Sequence, residues 1–305
     1  MNKEHVDSWA GRLGSPAEGQ DFAMEFRLKE LDEDLHKRFT NSVFAIQYNL
    51  SNYKLLFPEY TDHTNLHSLT VIDFCNQLMG DNIRQLNADE TYVLLMSCYF
   101  HDTGMGISMQ DYELFSRDID FGDYFASHSR EAYPDIIRDF HHEFSGRFIH
   151  KYASFLEIPS KEHEWAIIQV SRGHRKTDLM DEKEYPSRLL LSNGRTVCLP
   201  YLAALIRLSD EIDVAAARNS ILLYDIEALT DAIEIVENKK LKAVKRLDVS
   251  EKAFTLILEP TEPEIREQLF LLAGKMQKTL DYCRKVIAER TPYSITQERV
   301  DILEE

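Results

Sequence analysis

Between Tyr92 and Phe100 the chain runs for nine residues without a charge, then meets His101-Asp102-Thr103-Gly104. A segment apolar on every side cannot lie on a surface. The stretch Ala88 to His101 therefore reads as a helix buried in the middle of a helical assembly. Its apolar run is about half of the roughly 20 residues that a membrane span requires, so its place is a protein core. The polar pair at its end is then carried on the edge of that core. An adjacent imidazole and carboxylate can serve one divalent ion only where the backbone bends, and Gly104 and Gly106 permit such a bend. Taken alone, the pair fits an aspartate capping the next turn equally well.

The surrounding chain is also helical in pattern. Phe22 to Leu50 carries apolar residues at spacings of three and four, which marks an amphipathic helix or helix pair. Leu66 to Met79 forms a helix stopped by Gly80. The stretch Asp102 to Asp135 contains Gly104, Gly106, Gly122 and Pro134 and reads as a long excursion with short helical pieces. Helices follow at Ile136 to Leu156 and Lys161 to Gly173. Asn193-Gly194 between short apolar runs signals a tight hairpin. Pro200 suits the first turn of a helix from Tyr201 to Ala217. Behind it, Lys240 to Leu247 and Ala253 to Glu259 look like a second antiparallel pair, and Ile265 to Ala288 like a long closing helix. The expected fold is mainly α: an N-terminal helical region (1–50), a helical domain (51–217), and a small α/β appendage (218–305) given a structural, assembly or regulatory role.

Fifty-two acidic against 35 basic residues give a net charge of −17. Such a field repels nucleic acid, yet a bound cation and a few local bases can dominate one cleft. Cys75, Cys98, Cys198 and Cys283 are widely spaced without a CxxC, as expected of reduced thiols. The polar stretch Met1 to Gln20 has no apolar run of the signal-peptide kind, so a soluble, cytoplasmic protein is expected.

Histidines and aspartates carry the candidate chemistry. His67 on one helix, His101 and Asp102 at the end of the buried one, and Asp210 on a late helix make a mixed nitrogen and oxygen donor set. Such a set suits Mn, Fe, Mg or Zn with positions left for water and substrate. The stretches 57–71 (FPEYTDHTNLHSLTV), 98–105 (CYFHDTGM) and 205–213 (LIRLSDEID) resemble the HD superfamily of metal-dependent phosphohydrolases and stand in its order, H…HD…D. The hairpin before Pro200 and the segment 279–292 (TLDYCRKVIAERTP) resemble a subgroup found alone or fused to Hsp90-type ATPases.

The resemblance implies an HD-type helical bundle with one divalent ion, or two, held by His67, His101, Asp102 and Asp210. His63 and Asp213 are read as neighbours of that set rather than members. It also implies that His141, taken over His142, and His174 either hold a second ion or act as acid/base groups. Arg172, Arg175 and Lys176, a dense basic patch beside His174, suit phosphate groups. The implied activity is hydrolysis of a phosphoester or phosphoanhydride, of a small nucleotide rather than nucleic acid, in a homo-oligomer or beside a partner ATPase. A nucleotide- or metal-binding sensor without turnover is the alternative.

Overall fold

The structure, a computed structural model, describes residues 23–57, 63, 65–127, 133–214, 232–259 and 262–305. The polar amino-terminal stretch and the expected boundary near Ala217 lie outside the described residues. Two amino-terminal helices, α1 (Ala23–Leu31) and α2 (Glu33–Ser51), resolve the predicted helix pair. They part at Asp32, whose side chain accepts from the Leu35 amide and so starts the second helix. The short α3 (Tyr53–Leu56) leads to α4 (Asn65–Met79), which ends at Gly80 with a positive φ of 49°. The buried helix is α5 (Ala88–Phe100), started by a reciprocal cap between Asn87 and Glu90. Every residue of α5 is buried, and it is surrounded by α1, α2, α4 and two later helices.

A 3-10 turn (Thr103–Gly106), α6 (Met109–Phe115) and α7 (Tyr124–Ser127) make up the excursion. Next come α8 (Tyr133–Tyr152) and α9 (Lys161–Arg172), the latter capped by Ser160. The predicted hairpin is β1 (Leu189–Leu190) with β2 (Thr196–Val197), turned at Gly194 with φ 84°. Helix α10 (Leu199–Ile212) has Pro200 in its first turn and packs on α4, α5 and α9.

The carboxy-terminal unit differs in detail from the expected strand pair. Residues 240–243 close a helix, α11 (Ala232–Ala243), so that β3 (Val244–Val249) begins four residues later than expected. Leu241 and Ala243 alternate with lysines and mimic a strand, whereas both are buried at the end of the helix. Strand β4 (Ala253–Leu258) pairs antiparallel with β3, and β5 (Arg299–Glu304) joins it in parallel. The parallel pair is bridged by α12 (Pro263–Arg290), as a crossover between parallel strands requires. The mainly α architecture with a small stranded appendage is thus observed, and α12 packs along α10 and under β5. Among the described residues no helix is long and apolar enough to cross a membrane.

The glycines after Asp102 serve a tighter purpose than a bend. Neither has positive φ; instead a Cβ on Gly104 would lie 2.2 Å from the His141 carbonyl oxygen and 2.8 Å from the Ser145 amide. Gly106 approaches the Asn49 carbonyl in the same way, at 2.3 Å. The turn after the buried helix is therefore wedged between the backbones of α8 and α2. Gly104→Ala should force α8 outward and cost about 3 kcal/mol, at the upper end of overpacking. Thermal unfolding measures this, and an unchanged melting temperature would show that the contact is not tight.

Candidate metal centre

Five elements deliver side chains to one point. His67 comes from α4, His101 and Asp102 from the end of α5, His141 from α8, His174 from the turn after α9, and Asp210 from the last turn of α10. The four expected ligands meet closely. His67 Nε2 is 3.1 Å from His101 Nε2, 3.4 Å from Asp102 Oδ2 and 3.2 Å from Asp210 Oδ1. His101 Nε2 is 3.2 Å from Asp102 Oδ2 and 3.9 Å from Asp210 Oδ1. The other oxygen of Asp102 faces a second group: His141 Nε2 at 3.3 Å and His174 Nε2 at 3.8 Å, with those two nitrogens 2.9 Å apart.

Backbone carbonyls decide the tautomers. Nδ1 of His101 donates to the Cys98 carbonyl at 3.0 Å, that of His141 to Arg138 at 2.7 Å, and that of His174 to Ser171 at 2.5 Å. Nδ1 of His67 donates to Asp213 Oδ2 at 2.6 Å. With Nδ1 donating outward, each ring turns its Nε2 into the cluster, where a proton on Nδ1 leaves it a lone pair. Two lone pairs about 3 Å apart repel unless a proton or a cation lies between them. Ligands about 2.1 Å from one ion sit roughly 3.0–3.4 Å from each other at right-angled to tetrahedral geometry, and most of the separations here lie near that range. The donors thus fit a divalent cation, with Asp102 presenting one oxygen to each of two nitrogen pairs. The Nδ1 partners are the outer contacts that orient metal-binding imidazoles.

The electrostatics follow from this packing. Burial pushes the Asp102 carboxyl up, but His101 and His63 outweigh it and hold it well below the usual carboxylate range. Asp210 is likewise held well below, against its burial, by His67 and His101. Burial drives His141 well below the ordinary histidine value, with Arg175 adding to the effect. His174 is lowered to about 4 by burial and by His101. Two lowered carboxylates, with the lowered imidazoles of His141 and His174 beside them, form a cation-attracting pocket.

A cleft of about 560 Å³ opens over the cluster. Asp102, His141, His174 and Asp210 line it, as do Arg175 and Lys176. Arg172 does not. Its guanidinium is bound to Glu143 at 2.7 and 3.0 Å and to Gln169 at 2.6 Å, so of the three expected bases Arg175 and Lys176 line the cleft and Arg172 is turned to its own carboxylate. His142 is buried with no partner for Nδ1, and burial lowers it to about 2. His63 Nδ1 lies 2.7 Å from Asp102 Oδ2, close enough for His63, His67 and Asp102 to form a further group able to hold a cation, while Asp213 holds the outer nitrogen of His67. Sequence reading missed Arg207, which donates to the carbonyls of Gly173 and Thr177 at 2.7 and 2.8 Å and fixes the turn that carries His174. An arginine inside the apolar helix 199–212 was the available signal. It also missed that α11 and α12 help to line the cleft, for which no local signal exists.

A family model described as HD-CE matches residues 57–293. No curated protein and no solved structure matches the chain.

Buried neutral histidines make stability depend on pH. Between pH 6.5 and 4 the unfolded chain binds a proton on each histidine that the folded His174 and His142 decline. Stability therefore falls as pH falls through that window. His174 alone carries up to about 3 kcal/mol of the loss. Denaturant unfolding of chelator-treated protein across pH 7 to 4 checks it, and a flat profile would contradict neutral imidazoles.

Proposed function

The chain belongs to the HD-CE family, and from that premise we propose that it is a metal-dependent phosphohydrolase acting on a small nucleotide. The observation that carries this reading is Asp102 between two pairs of facing imidazole nitrogens. His67, His101, Asp210 and one oxygen of Asp102 would hold one divalent ion. His141, His174 and the other oxygen of Asp102 would hold a second. Mn, Fe, Mg or Zn are candidates, with the imidazoles favouring a transition metal. Bound there, the metal supplies a water of lowered pKa and a Lewis acid for a phosphoryl oxygen.

The chain's own groups do the rest. Arg175 and Lys176 stand on the turn beside His174 and would draw a phosphate to the cleft as charge-assisted donors. Arg207 holds that turn by its backbone, so the two cations are placed by a guanidinium that is itself spent. Asp213 keeps the lone pair of His67 pointed inward, and Ser145 fixes the turn of the signature pair by donating to the His101 carbonyl and accepting from the Gly104 amide. A cleft of about 560 Å³ lies within the roughly 300–1,000 Å³ of sites that enclose a small molecule.

Elemental analysis separates the roles. Asp102→Ala should remove all bound metal, His141→Ala should remove one of two ions, and His142→Ala should remove none, with circular dichroism unchanged. Turnover should fall by at least about a hundredfold in the first two variants, as expected for lost ligands. The assay is phosphate release over nucleotides, dNTPs, cyclic dinucleotides and a generic phosphoester. Unchanged metal content in Asp102→Ala sinks the site. Metal and nucleotide binding without release would favour the sensor alternative.

A further inference from the structure

The chemistry proposed above leaves one wall of the cleft without a task. On α11 it is formed by Glu237, Lys240 and Leu241, and on α12 by Leu272, Lys275 and Thr279. Spacings of three and four place each trio on a single helix face, so each helix presents one ordered edge to the cavity. The chain as a whole has 52 acids against 35 bases, yet the residues lining this cleft include five carboxylates and five lysines or arginines. Cations are enriched here against the composition. Two of those carboxylates, Asp102 and Asp210, belong to the proposed ligand set, and Asp213 is spent on His67.

The two lysines of this wall are anchored but not exhausted. Lys240 Nζ donates to Glu237 Oε1 at 2.7 Å, and Lys275 Nζ to Glu211 Oε1 at 3.0 Å. An ammonium has three donors, so each keeps capacity for a further acceptor. The Lys275 side chain is 70 % exposed, so its ammonium can meet a phosphate with its remaining N–H groups while it stays paired with the largely buried Glu211. Leu241 and Leu272 make the rest of the wall apolar, which strengthens a charge contact made beside them. Arg175 and Lys176 already serve the phosphoryl group near the histidines, whereas Lys240 and Lys275 reach the cleft from different elements.

We propose that Lys240 and Lys275 form a second anion subsite, contributed by the carboxy-terminal unit, which recognises a phosphate group other than the one over the histidine–aspartate cluster. The cleft then selects molecules with two or more phosphates, and the carboxy-terminal unit determines specificity. The word "substrate" for such molecules rests on the hydrolase reading, but the binding preference does not.

Calorimetric titration of the full chain, with its metal content measured, tests the subsite with two probes. One is the β,γ-methylene analogue of ATP and the other is inorganic phosphate. The analogue should bind more tightly than phosphate. Lys240→Met and Lys275→Met should each weaken the analogue about tenfold, as for loss of a charged hydrogen bond. Phosphate affinity and metal content should stay unchanged. Glu237→Gln, which frees Lys240 of its competitor, should tighten the analogue about threefold. A merely structural ion pair would not give that gain. Lys275→Arg should stay within about threefold of the parent chain. Equal binding of the two probes, parallel loss of both in the variants, no loss of the analogue, or no binding of either by the parent chain would each overturn the subsite. Absence of phosphate release with this pattern intact would sink the hydrolase reading alone. Release without the pattern would sink the subsite alone.

Discussion

A carboxylate at the carboxy-terminal end of a buried helix is in an adverse place. The helix dipole presents partial negative charge there, and burial removes the water that would otherwise screen it. Asp102 stands at that position behind α5 and is 4 % exposed. Its pKa is nevertheless held well below the usual carboxylate range, with His101 and His63 outweighing the burial, and five imidazoles, those of His63, His67, His101, His141 and His174, approach its two oxygens within 4 Å. The surrounding helices are arranged to satisfy that one group. Helix α4 brings His67, α8 brings His141, the turn after α9 brings His174, and Gly104 lets the following turn press against α8 closely enough for His141 to reach. A structural core would place an apolar residue here. An anion retained at this cost, ringed by lone pairs, is arranged for a cation.

Much of this was legible in the chain, for identifiable reasons. The buried helix announces itself by an uncharged run, and its start by Asn87 and Glu90. The hairpin at Asn193-Gly194 is local turn chemistry, and the histidine and aspartate candidates were marked by their order along the chain and its resemblance to a known family. What escaped was non-local. Strand β5 pairs in parallel with β4 across the whole of α12, so nothing near Val300 or Ile302 announces a partner. The onset of β3 was misplaced because Leu241 and Ala243, two residues apart, satisfy the strand period as well as the end of a helix. Gly104 was legible as a special position, but the cause is the His141 backbone 37 positions away rather than its own dihedral angles.

Charged side chains show the same limit more sharply. In the sequence, Arg172, Arg175 and Lys176 form one basic cluster beside His174. In the fold Arg172 is consumed by Glu143 on α8, while its neighbours line the cleft. Arg207 looks like an isolated charge in an apolar helix, yet it secures the turn on which those neighbours stand and packs its guanidinium 5.2 Å from the Tyr282 ring. Whether a cation is available for a ligand depends on which carboxylate or carbonyl reaches it first. That choice is made by helix packing between segments about 30 residues apart or more, where sequence adjacency carries no information.

The carboxy-terminal unit gains its meaning from the same packing. A two-stranded pair alone would be marginal, and here it is completed by β5 and covered by α12, whose buried face includes Leu269, Met276, Leu280 and Cys283. Because α12 packs along α10, the helix that ends in Asp210, the unit is fixed to the element that supplies a proposed ligand. Lys275 bonded to Glu211, the residue next to Asp210, is the point where the two meet at the cleft. A unit given a structural, assembly or regulatory role on sequence grounds is thus built into the cavity wall. In a chain of net charge −17, attraction for an anion has to be created locally and at short range, within the roughly 10 Å over which salt leaves a field unscreened. Cations from the turn after α9 and from α11 and α12 line one cleft because α12 packs along α10, so the proposed anion subsite depends on that packing.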